Sequence, residues 1–434
     1  MARSSSTRSR RAGSGPAVEL PRGRVVDVRS RDGVRLHAEV FGPEDGYPIV
    51  LAHGITCAIP VWAHQIADLS RDHRVIAYDH RGHGRSGVPP RRGGYSLDYL
   101  ASDLDAVLEA TLAPGERAVI AGHSMGGIAI SSWSERLPHR VAERADGVAL
   151  INTTTGDLLR NVNLLPVLAR FADARVRAAG GVIRTFGGTS MVRVADLPSR
   201  RFVSMIAVGR EADPAIADFV FELFHRTPPA GRGGWARVLV DHLGPRHIGL
   251  DNLTVPALVI GSTHDRLLPV SSARHIASAA PNLARFVELA GGHCAILERP
   301  EEVNQQLRWL VDSVSRSTRA SAATGDQARA SEATGDQARA SAATGDQARA
   351  SSGEPRRPRA DLSARRRRGT RSSGPRSRFR PRRCRRRVHA ATGRARSTRR
   401  VGRRPWGRRG RTVRRPSSDR RSRSDERRRR RTAR

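Results

Sequence analysis

From Arg24 to Val314 the chain moves between two hydrophobic rhythms. Arg24–Val28 and Val34–Val40 alternate apolar and polar residues around Asp32-Gly33, a hairpin signal whose turn tolerates positive φ. Short apolar runs follow at Pro48–Ala52, Val75–Tyr78, Ala118–Ala121, Val148–Ile151, Ala257–Ile260 and Phe286–Leu289. Most are too short and too uniform for amphipathic helices and suit strands buried on both faces of a parallel sheet. Helical spacing separates several of them. Leu97, Leu100, Leu104, Val107 and Leu108 share one face behind Ser96, a suitable N-cap. A second helical pattern runs from Met125 to Leu137 and stops at Pro138. A third, Glu301 to Val314, repeats Val303, Leu307, Leu310, Val311 and Val314 at helical intervals after Pro300. Strand and helix in alternation predict an α/β protein with a doubly wound, mostly parallel sheet.

The alternation lapses over residues 153–245. Leu158–Phe171, Phe202–Val208 and Ala215–Phe224 read as helices with no strand between them, and the stretch is too long for an ordinary loop. A helical lid above the sheet is expected there, with the core in residues 21–152 and 246–316. Residues 1–20 read as a disordered basic leader. From Ala320 to Arg349 the decapeptide Ala-Ser-Ala-Ala-Thr-Gly-Asp-Gln-Ala-Arg occurs three times, the second copy carrying Glu332. It is too polar to build a repeat fold, so residues 317–350 are expected to be linker.

Charge sets the last segment apart. The formal net charge is +37, and residues 351–434 hold 36 Arg against five Asp and Glu, leaving 42 basic and 36 acidic residues for 1–350. The body is thus mildly basic, and the tail is a disordered polycation. It could bind polyanions non-specifically through counterion release, with no sequence preference for nucleic acid. It could also be a solvated tail without a partner. The preferred account is GC-rich DNA read in a shifted frame after the tandem repeat; every basic residue in the chain is Arg, which fits a GC-rich coding sequence. Cys57, Cys294 and Cys384 show neither a disulfide framework nor metal-ligand spacing. No apolar run approaches the roughly 18 residues of a membrane span, and Met1–Gly15 has no apolar stretch after its charges. A reduced, cytoplasmic setting is expected, without metal, cofactor or transmembrane segment. The pattern says nothing of oligomeric state.

The candidate chemistry lies where strands end. Gly122-His123-Ser124-Met125-Gly126 is a G-x-S-x-G pattern between a strand and a helix, the setting in which a sharp turn exposes a serine nucleophile. A serine hydroxyl needs a base. His293 follows the run Phe286–Leu289 through Gly291-Gly292, and Asp265 follows Ala257–Ile260, so both reach the sheet edge where ligands bind. Asp157, beyond Val148–Ile151, is the substitute acid. Oxyanion donors are expected from the backbone N–H groups of Met125 and Ile55, the latter in the His53-Gly54-Ile55 loop. His53, Gly54, Trp62, Phe221 and Phe224 are candidates for the substrate wall. For Trp62 and the phenylalanines a core role is the alternative, and for His53-Gly54 a tight turn.

These pieces, together with Asp79-His80-Arg81-Gly82-His83-Gly84-Arg85-Ser86 as a structural floor, resemble the α/β-hydrolase superfamily, in particular its lidded esterases and lipases, over about Arg24 to Val314. The resemblance implies the α/β-hydrolase fold, a Ser124–His293–Asp265 triad and hydrolysis of a small-molecule carboxylic ester with an apolar acyl group through an acyl-enzyme. The same triad serves C–C bond hydrolases and cofactor-free haloperoxidases. Epoxide hydrolases and dehalogenases use an aspartate where this chain has Ser124. A non-catalytic binding protein on this fold, associating with nucleic acid through its tail, is the alternative of another class.

Overall fold

The computed structural model describes residues 18–90, 93–161 and 205–316, with isolated positions at 178, 180, 181 and 201. Most of the leader, the far part of the Leu158–Phe171 pattern, the start of Phe202–Val208, the linker and the arginine tail lie outside the described residues.

Eight strands form one sheet: β1 Arg24–Arg29, β2 Arg35–Phe41, β3 Tyr47–Ala52, β4 His73–Tyr78, β5 Ala118–His123, β6 Ala145–Ile151, β7 Ala257–Ser262 and β8 Leu283–Leu289. Their order is β1-β2-β4-β3-β5-β6-β7-β8. β1 and β2 pair antiparallel about a turn in which Gly33 takes φ +82°. β2 also runs antiparallel to β4, and from β4 to β8 every pairing is parallel.

The uniform apolar runs are explained by cover on both faces. Val50, Ile76, Ile120, Val148 and Val259 face one core with Leu100, Leu104, Val107 and Leu108 of helix α2 (Leu97–Thr111) and Trp133 of α3 (Met125–Arg136). Their strand neighbours Leu51, Ala77, Ala121, Ala149 and Leu258 face the other, with Ile66 and Leu69 of α1 (Ala63–Leu69) and Leu307 and Leu310 of helix 300–316. The Ser96 cap forms as the pattern predicts, its hydroxyl accepting from Tyr99 N–H at 3.1 Å.

After β4 the chain crosses over β3 to place β5 on its far side. The strand order reverses there, opening a crevice beyond the carboxyl ends of β3 and β5. The Asp79–Ser86 loop braces this edge. Asp79 accepts from Ile59 and Arg85 N–H, each at 2.8 Å. Arg81, wholly buried, makes a two-pronged contact with Asp103 at 2.6 Å on each prong and reaches Asp32 at 2.9 Å.

Between β6 and β7 the described residues hold a short helix, Leu158–Asn161, and two longer ones, Pro214–Arg226 and Pro229–His242. The first long helix matches the Ala215–Phe224 pattern. The second is unexpected, because Gly231, Gly233 and Gly234 lower helix propensity. Tertiary contact overrides propensity here. A side chain on Gly231 would run into the Gly82 carbonyl, and one on Gly234 into the Tyr95 ring. The glycines let the helix settle on the Asp79–Ser86 loop, where Trp235 Nε1–H donates to the Arg81 carbonyl at 3.0 Å. Among the described residues no helix is long and apolar enough to cross a membrane.

Candidate active site

Ser124 stands between β5 and α3 at φ 53°, ψ −116°, backbone space that residues with a Cβ seldom occupy. The neighbouring glycines make this turn feasible. A Cβ on Gly122 would meet the Gly126 backbone, and one on Gly126 the Ala52 carbonyl. The turn is also pinned on its far side: Ser124 N–H donates to the Ile151 carbonyl at 3.0 Å, and Thr153 Oγ1–H to the Ser124 carbonyl at 2.7 Å.

Asp265 and His293 meet. His293 Nδ1 and Asp265 Oδ2 lie 2.8 Å apart, both side chains buried. The carboxylate is held by three further donors: Leu267 N–H (2.9 Å) and Leu268 N–H (2.8 Å) on Oδ1, and Asn152 Nδ2–H (3.1 Å) on Oδ2. The loops bearing Asp265 and His293 are tied together as well, Thr263 N–H donating to the Leu289 carbonyl and His264 N–H to that of Gly291, each at 2.9 Å. Gly292 N–H donates to Glu298 Oε2 at 2.8 Å.

Ser124 is joined to this pair through its neighbour. His123 Nε2–H donates to the His293 carbonyl at 2.9 Å, and the two rings lie 4.9 Å apart. Among the described residues no hydrogen bond connects the Ser124 hydroxyl itself to the imidazole. Gly54 closes the other side: a Cβ there would stand 3.1 Å from both Ser124 Cβ and His123 Nδ1. Neither Ile55 N–H nor Met125 N–H has an acceptor among the described residues. Both begin or border the crevice, Met125 as the first residue of α3.

The remaining candidates are placed by their packing. His53 is wholly buried and spends both ring nitrogens on backbone: Nε2 accepts from His80 N–H at 3.0 Å, so Nδ1–H donates to the Gly54 carbonyl at 2.7 Å. Its side chain shapes the loop. Trp62 is likewise wholly buried, edge-on to His123 at 6.4 Å between centroids, in the core role. Phe221 and Phe224 are partly buried against the core cluster; Phe224 lies under Arg232 at 4.7 Å and Phe221 against His225 at 6.1 Å, so core packing accounts for both. Asp157 faces His247 Nε2 at 3.5 Å, whereas Asp265 is the carboxylate that meets His293. Asn152, His123 and Glu298 are positioning groups that no sequence pattern marked. Asn152 takes φ 43°, a conformation invisible in the bare letter.

Four buried imidazoles beside the crevice, those of His53, His80, His83 and His123, are kept neutral, His53 well below its ordinary value. Burial pushes His80 and His123 down to about 3 and His83 to about 4, helped at His80 by His83 and at His123 by His293. The unfolded chain takes up protons near pH 6.5 that the folded chain refuses, so this stability is present above pH 6.5 and is lost as the pH falls toward 4. Each such histidine steepens the decline by up to about 1.4 kcal/mol per pH unit. Asp79 and Asp103, raised by burial, act with the opposite sign. With four imidazoles outweighing two carboxylates, the urea midpoint should fall between pH 6.5 and 4.5. A flat or rising midpoint would contradict this balance. The thiols are similarly silenced: burial pushes Cys57 up to about 12 and holds Cys294 well above the ordinary thiol range. Among the described residues no group of three or more His, Cys, Asp or Glu could hold a metal ion.

A strained serine beside a hydrogen-bonded carboxylate–imidazole pair, with free amides at a helix start, can support nucleophilic acyl transfer. Comparison with known proteins agrees at the level of family. The model of the alpha/beta hydrolase fold matches residues 47–300. A candidate carbamate hydrolase, RutD, of Variovorax paradoxus is 28% identical over 283 residues, covering 64% of this chain and 97% of that protein. A non-heme chloroperoxidase of Streptomyces lividans is 40% identical over 118 residues, 27% of this chain and 41% of that one. The structure of a thermophilic esterase from Thermogutta terrifontis superposes with a TM-score of 0.52 at 22% identity, covering 68% of this chain and 99% of its own, a likeness of fold. Because the family model spans more than half of the sequence, and strands β3 to β8 and the serine turn fall inside it, this chain belongs to the alpha/beta hydrolase fold family.

Proposed function

We propose that the protein is a serine hydrolase that cleaves a small-molecule carboxylic ester through an acyl-enzyme. The observation carrying this reading is the buried 2.8 Å contact between Asp265 and His293, linked through His123 to the turn that bears Ser124. Asp265 keeps the proton on Nδ1, which leaves the Nε2 lone pair to accept one. Ser124 Oγ attacks the ester carbonyl carbon while His293 Nε2 takes its proton. The carbonyl electrons move to oxygen, where the Ile55 and Met125 amides receive the negative charge. Collapse expels the alcohol, protonated by His293. Water then attacks the acyl carbon by the same route, releasing the acid and restoring Ser124.

A fluorophosphonate probe should label Ser124 in the folded full-length protein, and a p-nitrophenyl ester series should show turnover that the probe abolishes. A folded protein that resists the probe and hydrolyses no ester would favour a binding protein.

The chloroperoxidase similarity favours a second reading at the same residues. Hydrogen peroxide would replace water as acyl acceptor, giving a peroxy acid. Monochlorodimedone halogenation that depends on added acetate, peroxide and bromide, and is lost without Ser124, distinguishes it.

A further inference from the structure

A cleft of about 500 Å³ lies between the segment around residue 209 and the acid loop. Met205, Val208 and Ala217 contribute apolar surface, and among the described residues Arg201, Arg210 and Arg266 line it with one carboxylate, Asp218. Two features tie this cleft to the candidate site. Arg266 directly follows Asp265, on the turn whose Leu267 and Leu268 amides bind the Asp265 carboxylate. The Ala207–Gly209 segment is stitched to the His293 loop. Gly209 N–H and Gly292 N–H share Glu298 Oε2 at 3.1 and 2.8 Å, and Cys294 N–H donates to the Ala207 carbonyl at 3.1 Å. The cleft wall and the base loop are therefore one hydrogen-bonded unit. Arg210 and Arg266 have no ion pair among the described residues, in contrast to Arg81, Arg140 and Arg308, which are paired to carboxylates.

Cations left unpaired beside apolar surface attract an anion that carries an aliphatic chain, and the guanidinium fork suits a carboxylate. We propose that the substrate is an ester whose acyl chain ends in a carboxylate, a hemiester of a dicarboxylic acid, with Arg210 and Arg266 binding the free carboxylate while the ester carbonyl lies at Ser124. This rests on the serine-hydrolase reading above, which supplies the chemistry. The two arginines add specificity: they hold the end of the substrate remote from the reaction.

The test compares p-nitrophenyl hydrogen adipate and suberate with their methyl-capped diesters, in which only the remote charge is removed. The full-length protein should prefer the hemiester of the better-fitting length by about tenfold in kcat/KM, chiefly through KM. The preference should shrink as sodium chloride rises from about 0.02 to 0.5 M. In the Arg210→Gln/Arg266→Gln double variant the ratio should fall to about one. A wild-type ratio at or below one, or a ratio that the double variant keeps, overturns the proposal. Failure of the hydrolase reading looks different, with neither aryl ester cleaved. In that case monomethyl adipate is titrated by calorimetry into the wild type and the double variant. The arginine tail is common to both, so its non-specific heat cancels. Binding lost in the double variant supports the cleft, and equal or absent binding overturns it.

Discussion

Replacing Ser124 with alanine should lower kcat for a p-nitrophenyl ester by about 10⁴- to 10⁶-fold, with little change in KM. The loss follows from the division of labour. Without the hydroxyl there is no acyl-enzyme, and His293 has only water to activate, at a position the site does not prepare. The Ile55 and Met125 amides remain, so hydrolysis above the uncatalysed rate should survive. The variant should fold as well as the parent, since alanine keeps the same Cβ in the turn at φ 53° and the Ser124 hydroxyl makes no hydrogen bond among the described residues. Turnover within tenfold of wild type, in protein cleared of contaminating esterase, would remove Ser124 from the mechanism. Activity loss accompanied by collapse of the far-UV and near-UV spectra would instead mark a folding defect, which Ser124→Cys then separates by testing for thiol labelling at the same turn.

How much of this could be read from the letters depends on which interactions are local. The Ser96 cap, the Asp32-Gly33 turn and the serine elbow involve residues within a few positions of one another, so composition and spacing reveal them. The doubly buried strands announce themselves because cover on both faces demands apolar residues at every position. Pro229–His242 was hidden for the opposite reason. Its glycines lower local helix preference and make sense only once the backbone at Gly82 is known to press against them. His53 misled for a similar reason. A histidine beside a candidate oxyanion loop looks chemical, yet its two nitrogens are consumed by the Gly54 carbonyl and the His80 amide. His123 carried the opposite lesson. Inside the G-x-S-x-G pattern it occupies a position the motif leaves open, and its bond to the carbonyl 170 residues away is visible only in the folded chain. Asn152 is the same kind of case. An ordinary letter at a strand end becomes part of the acid's cradle through a left-handed turn.

That cradle sets the second large effect. Asp265→Asn should reduce kcat by about 10³- to 10⁴-fold while leaving KM and stability close to the parent's. The side chain keeps its shape, and its oxygen can still accept from the Leu267 and Leu268 amides. The new NH₂ group then occupies the Oδ2 position, where it meets two donors, Asn152 Nδ2–H and His293 Nδ1–H. Donor cannot face donor in a buried site without cost, so the imidazole relieves the conflict by moving its proton to Nε2 and accepting at Nδ1. That tautomer presents N–H to Ser124 and cannot take its proton. The expected signature is therefore a kcat defect in a well-folded protein, with fluorophosphonate labelling slowed in proportion. Combining Asn152→Ala with Asp265→Asn removes one of the two opposing donors. The introduced amide still donates to Nδ1, so the double variant should stay as slow as Asp265→Asn alone. Rates in Asp265→Asn within about tenfold of wild type would mean that the carboxylate does not govern the imidazole's proton, and the Ser124–His293–Asp265 assignment would fall with it.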